Sequence, residues 1–310
     1  MSAPDLPPPA ASGAGRYAPS PSGDLHLGNL RTAILAWALA RRTQRAFHLR
    51  IEDLDRVREG SAQRQLEDLA ALGLDWDGEV VHQSERGPAY AAAIATLESR
   101  GRVFECYCTR REILEAPSAP HSPPGAYPGT CRDLSPAARA AGRERMRALR
   151  REPALRLRTD VPTWSVHDLW AGEVTGVVDD LVLRRGDGVV AYNLAVVVDD
   201  AAAGVDQVVR ADDLLSSAPR QAHLAHLLGL PEPGYAHVPL AVNTDGARLA
   251  KRDGAVTLRD RLERGESVPE VVGRIGESLG LPGCRTATDV LERWDPSMLP
   301  REPWVVELPA

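Results

Sequence analysis

Residues 14–53 limit the fold more than any other stretch of the chain. Residues 14–18 read as a short strand, and Pro19-Ser20-Pro21-Ser22-Gly23 can only be a turn. A helix is expected to begin near Gly28 and Asn29 and to run to about Arg42, with Leu30, Ile34, Trp37 and Leu39 as apolar positions. Phe47 to Ile51 reads as a second strand, and it ends in Glu52-Asp53. Two strands joined through a helix are parallel neighbours, which predicts a doubly wound α/β sheet. A ligand would sit beyond the carboxyl ends of those strands. Two further helices are expected at roughly 60–72 and 86–100.

The pattern breaks over residues 103–131, which carry many prolines and the clustered Cys106, Cys108 and Cys131. Residues 154–191 read as β-rich, with a turn at Arg185-Gly186-Asp187-Gly188. Tyr192–Val198 is strongly apolar and ends in Asp199-Asp200, and Val208-Val209-Arg210 reads as a buried strand end. A helix is expected at about 213–229, a strand at Val238–Val242, and one or two short helices from Leu262 onward.

Composition narrows the function classes. A formal charge of −6 excludes a generally basic nucleic-acid binder and leaves only a local patch. Arg139, Arg143, Arg145, Arg147, Arg150 and Arg151 offer one, with Glu144 as the only acid in the run. No stretch is long and apolar enough to span a bilayer. Met1–Gly15 is Pro/Ala/Ser-rich without a signal-peptide pattern, so a cytoplasmic location is expected.

Lys251 is the only lysine; the other 36 of the 37 basic residues are arginine. An ammonium is a compact point charge and a guanidinium a planar fork, so a lone lysine under such a bias suggests work that arginine cannot do. Cys106 and Cys108 are too close for an unstrained disulfide with each other. Three thiolates suit a tetrahedral zinc and need one further ligand, for which His121 is the default on chemistry alone. The strand–turn–helix joint is the other candidate site. Helix starts attract phosphates, Gly28 permits close approach, and His26 can offer an N–H to a phosphate oxygen.

Arg16-Tyr17-Ala18-Pro19-Ser20-Pro21-Ser22-Gly23 followed by His26-Leu27-Gly28-Asn29 resembles the HIGH signature of class I aminoacyl-tRNA synthetases. Arg248-Leu249-Ala250-Lys251-Arg252 resembles their KMSKS loop, with Ala250 where the family usually has serine. The first motif, Arg50-Ile51-Glu52-Asp53-Leu54-Asp55, and Ala191–Asp200 are similar to the glutamyl/glutaminyl branch, and the likeness covers roughly residues 14–255. Arg210-Ala211 stands where many relatives have Arg-Gly. The resemblance implies ATP-dependent activation of glutamate. His26 and Lys251 would be catalytic, and His26, Gly28, Asn29 and Lys251 would hold ATP. Arg16, Tyr17, Ala18, Pro19, Ser20, Glu52, Tyr192 and Arg210 would hold glutamate. Magnesium is expected with ATP, although no ligand set for it is visible.

The Cys106-x-Cys108…Tyr127-x-x-x-Cys131 spacing resembles the zinc knuckle of the glutamyl-queuosine tRNA(Asp) synthetases, which favours Tyr127 over His121 as fourth ligand. Only 59 residues follow Lys251, too few for the anticodon-binding domain of a glutamyl-tRNA synthetase. That likeness implies tRNA-independent glutamate activation, then transfer to queuosine in the anticodon of tRNA(Asp). A catalytic domain that charges tRNA(Glu), an RNA-independent glutamate ligase and an inactive RNA-binding module are the rival readings. The expected division is a disordered tail at 1–13, the first half of a Rossmann-like catalytic domain at 14–102 and an inserted zinc-knuckle subdomain of mixed α/β structure at 103–190. The second catalytic half follows at 191–255 and a short helical C-terminal region at 256–310, in a monomer.

Overall fold

The computed structural model of the chain describes residues 13–115, 127–249 and 256–307. The N-terminal tail through Ser12, His121, and the loop residues Ala250, Lys251 and Gly254 lie outside the described residues.

The opening motif folds as its sequence dictates. Strand β1 (Ala14–Tyr17) leads through the Pro/Ser/Gly turn into helix α1 (Leu27–Arg42), and β2 (Ala46–Ile51) returns parallel to β1. A Cβ on Gly15 would lie 2.9 Å from the Ala40 Cβ, so the missing side chain lets α1 lie close on the sheet. Helix α2 (Ser61–Ala71), β3 (Val81–His82) and α3 (Gly87–Ser99) complete the first half.

A smaller antiparallel sheet follows, with strand order β4-β5-β8: β4 (Val103–Cys106), β5 (Ala154–Leu157) and β8 (Val182–Arg184). Helices α4 (Arg110–Glu115) and α5 (Pro136–Ala148) accompany it. The hairpin β6 (Thr163–Asp168) and β7 (Gly172–Val177) falls in the same stretch of sequence, yet it joins the main sheet. Gly172, at φ +77, takes the left-handed conformation that closes this hairpin.

The apolar run from Tyr192 is helix α6 (Tyr192–Ala202), and β9 (Val205–Ala211) returns beside β1. The helix expected at 213–229 starts as a 3-10 turn (Asp212–Ser217) and becomes α7 (Ala218–Leu228) at Pro219, which is favoured in a first helical turn. The strand expected at Val238–Val242 is two strands, β10 (Gly234–Val238) and β11 (Ala241–Val242), because Pro239 cannot continue the ladder. The main sheet has the order β3-β2-β1-β9-β10-β6-β7, and every neighbouring pair is parallel except β6–β7. The chain winds outward one way from β1 and the other way from β9. A crevice opens at that reversal, beyond Tyr17 and Ala211.

The C-terminal region holds the two short helices expected beyond Leu262 and adds a helix before them and a strand after them. It contains α8 (Leu258–Glu263), α9 (Val268–Glu277), α10 (Ala287–Arg293) and β12 (Trp304–Val305), which pairs with β11. The reason lies in α1, which buries residues all around its circumference, from Leu30 to Ala40. A helix apolar on every side needs cover on every side. The sheet covers one face of α1. Val272, Ile275, Val290 and Trp294 of the C-terminal region join the same core cluster.

Candidate active site

A cleft of about 970 Å³ lies at the reversal of the sheet. Arg16, Tyr17, Ala18, Pro19, Ser20, His26, Asn29, Glu52, Tyr192 and Arg210 all line it. Gly28 does not. A Cβ there would lie 2.7 Å from Ala241 and 3.1 Å from the His26 ring, so Gly28 serves the packing of α1 against β11. Arg248, three residues before Lys251, lines the cleft and pairs with Asp213 at 2.6 Å.

The phosphate end is built from a helix start. Gln65 on α2 donates to the carbonyls of Ser20 (3.1 Å) and Gly23 (2.6 Å), which fixes the turn. His26 caps α1: its Nδ1 accepts from the Asn29 N–H at 3.2 Å, and Asn29 Oδ1 accepts from the His26 N–H at 3.2 Å. Burial and the nearby Arg248 charge lower the His26 pKa to about 4. The ring is therefore neutral at neutral pH. Since Nδ1 is an acceptor, Nε2 carries the proton. The site thus presents an N–H donor beside the positive end of a helix dipole, a setting made for phosphate.

The opposite end is a buried charge cluster. Arg16 contacts Asp200 at 3.4 Å and donates to the Val209 carbonyl at 3.0 Å. Arg50 pairs with Asp200 at 2.5 Å and with Glu52 at 3.2 Å. Asp199 accepts from Gln83 (2.9 Å), Arg86 (3.0 Å) and Tyr90 (2.7 Å). Asp199 and Asp200 end α6, where the helix dipole opposes a carboxylate, so these arginine and hydroxyl partners are needed. Burial alone would raise the Asp200 pKa, but Arg50 and Arg16 overcome it and hold it below the usual carboxylate range. Glu52 shares Arg50 with two aspartates and is less well served; burial keeps its pKa raised. An incoming ammonium would supply the missing positive charge. Tyr17 donates its hydroxyl to the Asn29 carbonyl at 3.2 Å, which ties β1 to α1 across the cleft.

A separate cluster unites the three cysteines predicted to bind metal. The Cys106, Cys108 and Cys131 sulfurs lie within 4.8 Å of one another. Sulfurs about 3.8 Å apart are what Zn–S bonds of about 2.3 Å require in a tetrahedron. Tyr127 Oη lies 3.5 Å from Cys106 Sγ and accepts the Cys131 N–H at 2.7 Å. The Arg156 guanidinium stacks 3.8 Å from the Tyr127 ring centre, which holds that ring in place. The crowded sulfurs cannot all ionise alone. Hydrogen bonds push the Cys106 pKa down, and burial with the Cys106 charge pushes Cys108 up. The donor set fits a cation.

The arginine run lies on and just after α5, and it is less bare than its sequence suggests. Arg143 pairs with Glu105, Arg145 with Glu112 and Arg147 with Glu144. Acids distant in sequence thus oppose the patch. Sequence reasoning also passed over Gln65, which holds the backbone of the turn, and Asp168, Gln221 and His237, which act through other side chains. Arg50, Asp199 and Asp200 stood inside quoted motifs, but their mutual pairing spans about 150 residues of sequence and left no local signal.

The family model described as tRNA synthetases class I (E and Q), catalytic domain, matches residues 14–282. A Nocardia farcinica protein named glutamyl-Q tRNA(Asp) synthetase is 63% identical over 302 residues, covering 97% of this chain and 96% of that protein. A Cutibacterium acnes protein of the same name is 54% identical over 274 residues, covering 87% of this chain and 76% of that one. Among solved structures, the glutamate-tRNA synthetase of Elizabethkingia anophelis superposes with a TM-score of 0.79 at 21% identity, over 96% of this chain and 68% of that one. A glutamate tRNA ligase from Elizabethkingia meningosepticum, solved with its amino acid, gives 0.76 at 22% identity. The present chain covers 93% of its own length and 65% of that ligase.

Proposed function

Given that the chain belongs to the class I tRNA synthetases of the glutamyl and glutaminyl type, we propose that it activates L-glutamate with ATP without tRNA and then transfers it to queuosine in the anticodon of tRNA(Asp). The observation that carries this reading is the single cleft lined by a phosphate-type helix start at His26 and by a glutamate-type charge set at Arg16, Glu52, Tyr192 and Arg210. The names of the Nocardia and Cutibacterium relatives support the RNA substrate.

In activation, the glutamate α-carboxylate attacks the α-phosphorus of ATP. A P–O bond forms to the carboxylate, the bond to the bridging oxygen breaks, and pyrophosphate leaves. The protein forms no bond to either substrate. It aligns them and stabilises charge. Neutral His26 donates from Nε2 to a phosphate oxygen, Glu52 takes the ammonium, and Arg16 and Arg210 take carboxylate oxygens. Lys251 adds a point charge on the phosphates, and magnesium accompanies ATP.

Cys106, Cys108, Cys131 and Tyr127 are proposed to hold one structural zinc. Zinc there would supply cross-linking, pinning the turn after β4 to the segment before α5.

ATP–pyrophosphate exchange tests the first half of the proposal. Exchange that depends on glutamate and needs no tRNA is expected. Exchange only with added tRNA(Glu) would instead indicate a tRNA(Glu)-charging enzyme, and no exchange in either case would refute the site assignment.

A further inference from the structure

Arg210 emerges from the carboxyl end of β9 with a chain of polar side chains behind it. Its Nε donates to His237 Nε2 at 2.9 Å, its Nη1 to Gln221 Oε1 at 2.7 Å and its Nη2 to the Leu214 carbonyl at 3.3 Å. His237 Nδ1 in turn meets Asp168 Oδ2 at 2.6 Å. All four side chains, those of Asp168, Arg210, Gln221 and His237, are at most 5% exposed.

The chemistry of this chain admits one arrangement of protons. A guanidinium only donates, so His237 Nε2 must carry a lone pair. The proton of the neutral ring then sits on Nδ1 and points at Asp168. Asp168 is fixed in its turn: its Oδ1 accepts from the N–H groups of Trp170 (3.0 Å) and Ala171 (2.9 Å), and its Oδ2 accepts from the His237 N–H (3.0 Å). The Tyr235 ring lies nearly parallel to His237, at 19° and 6.0 Å between centres, and the bonds to Arg210 and Asp168 fix the imidazole at both nitrogens. Strand pairing delivers both partners, since β6 lies beside β10 with Asp168 in register with Tyr235. Arg210 also lines the cleft, and these three bonds leave two of its five N–H groups for a ligand.

We propose that Asp168 and His237 are positioning residues that fix the His237 tautomer and thereby aim the Arg210 fork at a carboxylate of the amino-acid substrate. The inference rests on the glutamate reading above and adds to it what sets the geometry of one carboxylate contact. The parallel is a carboxylate that orients an imidazole for a third group.

Two measurements test it. The first needs no substrate: in nitrogen-15 spectra of histidine-labelled protein, the signal that disappears in His237→Gln should be a neutral ring protonated at Nδ1. The Nε2-protonated form at this position would overturn the proposal. The second is exchange kinetics. In Asp168→Asn, the Trp170 and Ala171 N–H groups hold the amide oxygen, so the amide nitrogen faces His237 and moves its proton to Nε2, against Arg210. The glutamate KM should rise about tenfold while the ATP KM stays within about twofold. His237→Phe should behave likewise, and His237→Gln, which can accept from Arg210 and donate to Asp168, should recover most of the loss. Wild-type exchange with variants indistinguishable from it would overturn the proposal, as would equal rises in both KM values. A wild-type protein that exchanges with no added glutamate dependence would instead overturn the functional reading.

Discussion

His26 serves two purposes that a single substitution can separate. Asparagine is a good helix cap, so His26→Asn should keep α1 intact while removing the ring donor. Pyrophosphate exchange should fall by roughly 10²-fold or more with a melting temperature close to wild type. The acid response follows from its pKa, about 4 in the fold against 6.5 for an ordinary histidine. The unfolded chain takes up this proton first, so the stability owed to His26 is intact above about pH 6.5 and drains away toward pH 4. Melting temperatures of wild type and His26→Asn, close at neutral pH, should therefore separate as the pH falls toward 4, with wild type becoming the lower of the two. Lys251→Arg should also lose exchange despite its retained charge, because a planar fork does not replace a point charge on a moving phosphate; exchange rates at saturating ATP check this. At this scale the sequence was informative where one motif carried several site residues, as from Arg16 to Asn29. It was silent where a residue works through another, as His237 does through Arg210.

The cysteine element makes its own prediction. One zinc per chain should be found by elemental analysis, and Cys131→Ser should lose it. That variant should melt several degrees lower, because residues 106–131 would no longer be cross-linked. Glutamate exchange below the new melting temperature should persist within a few fold, since the sulfurs lie outside the cleft. Among the elements, those with a clear period or a sharp stop were legible: α1, α2 and α3 fall within a residue or two of their expected bounds. Val238–Val242 was not, because its apolar character runs straight through Pro239 and hides the break. The fate of β6 and β7 was equally hidden. A hairpin's sequence does not say which sheet edge it will join.

For the whole molecule, the parallel sheet and its crevice followed from a single β-α-β unit, whereas the role of the C-terminal region did not. Short amphipathic helices after residue 256 look peripheral until α1 is seen to need cover on all sides. Trp294 is the test, at 1% exposed and with its ring 6.3 Å from that of Trp170. Trp294→Ala should cost about 3–5 kcal/mol by denaturant unfolding, with exchange activity retained wherever the variant is folded. The cleft and the core are then separable parts of one scaffold. The central claim is a transfer, and it is tested most directly by incubating the protein with ATP, labelled glutamate and tRNA(Asp) purified with or without queuosine. Acid-precipitable label is expected on the queuosine-containing tRNA(Asp) only, and none when the modified base is oxidised with periodate beforehand. Label on tRNA(Glu), or equal label on tRNA(Asp) lacking queuosine, would contradict it.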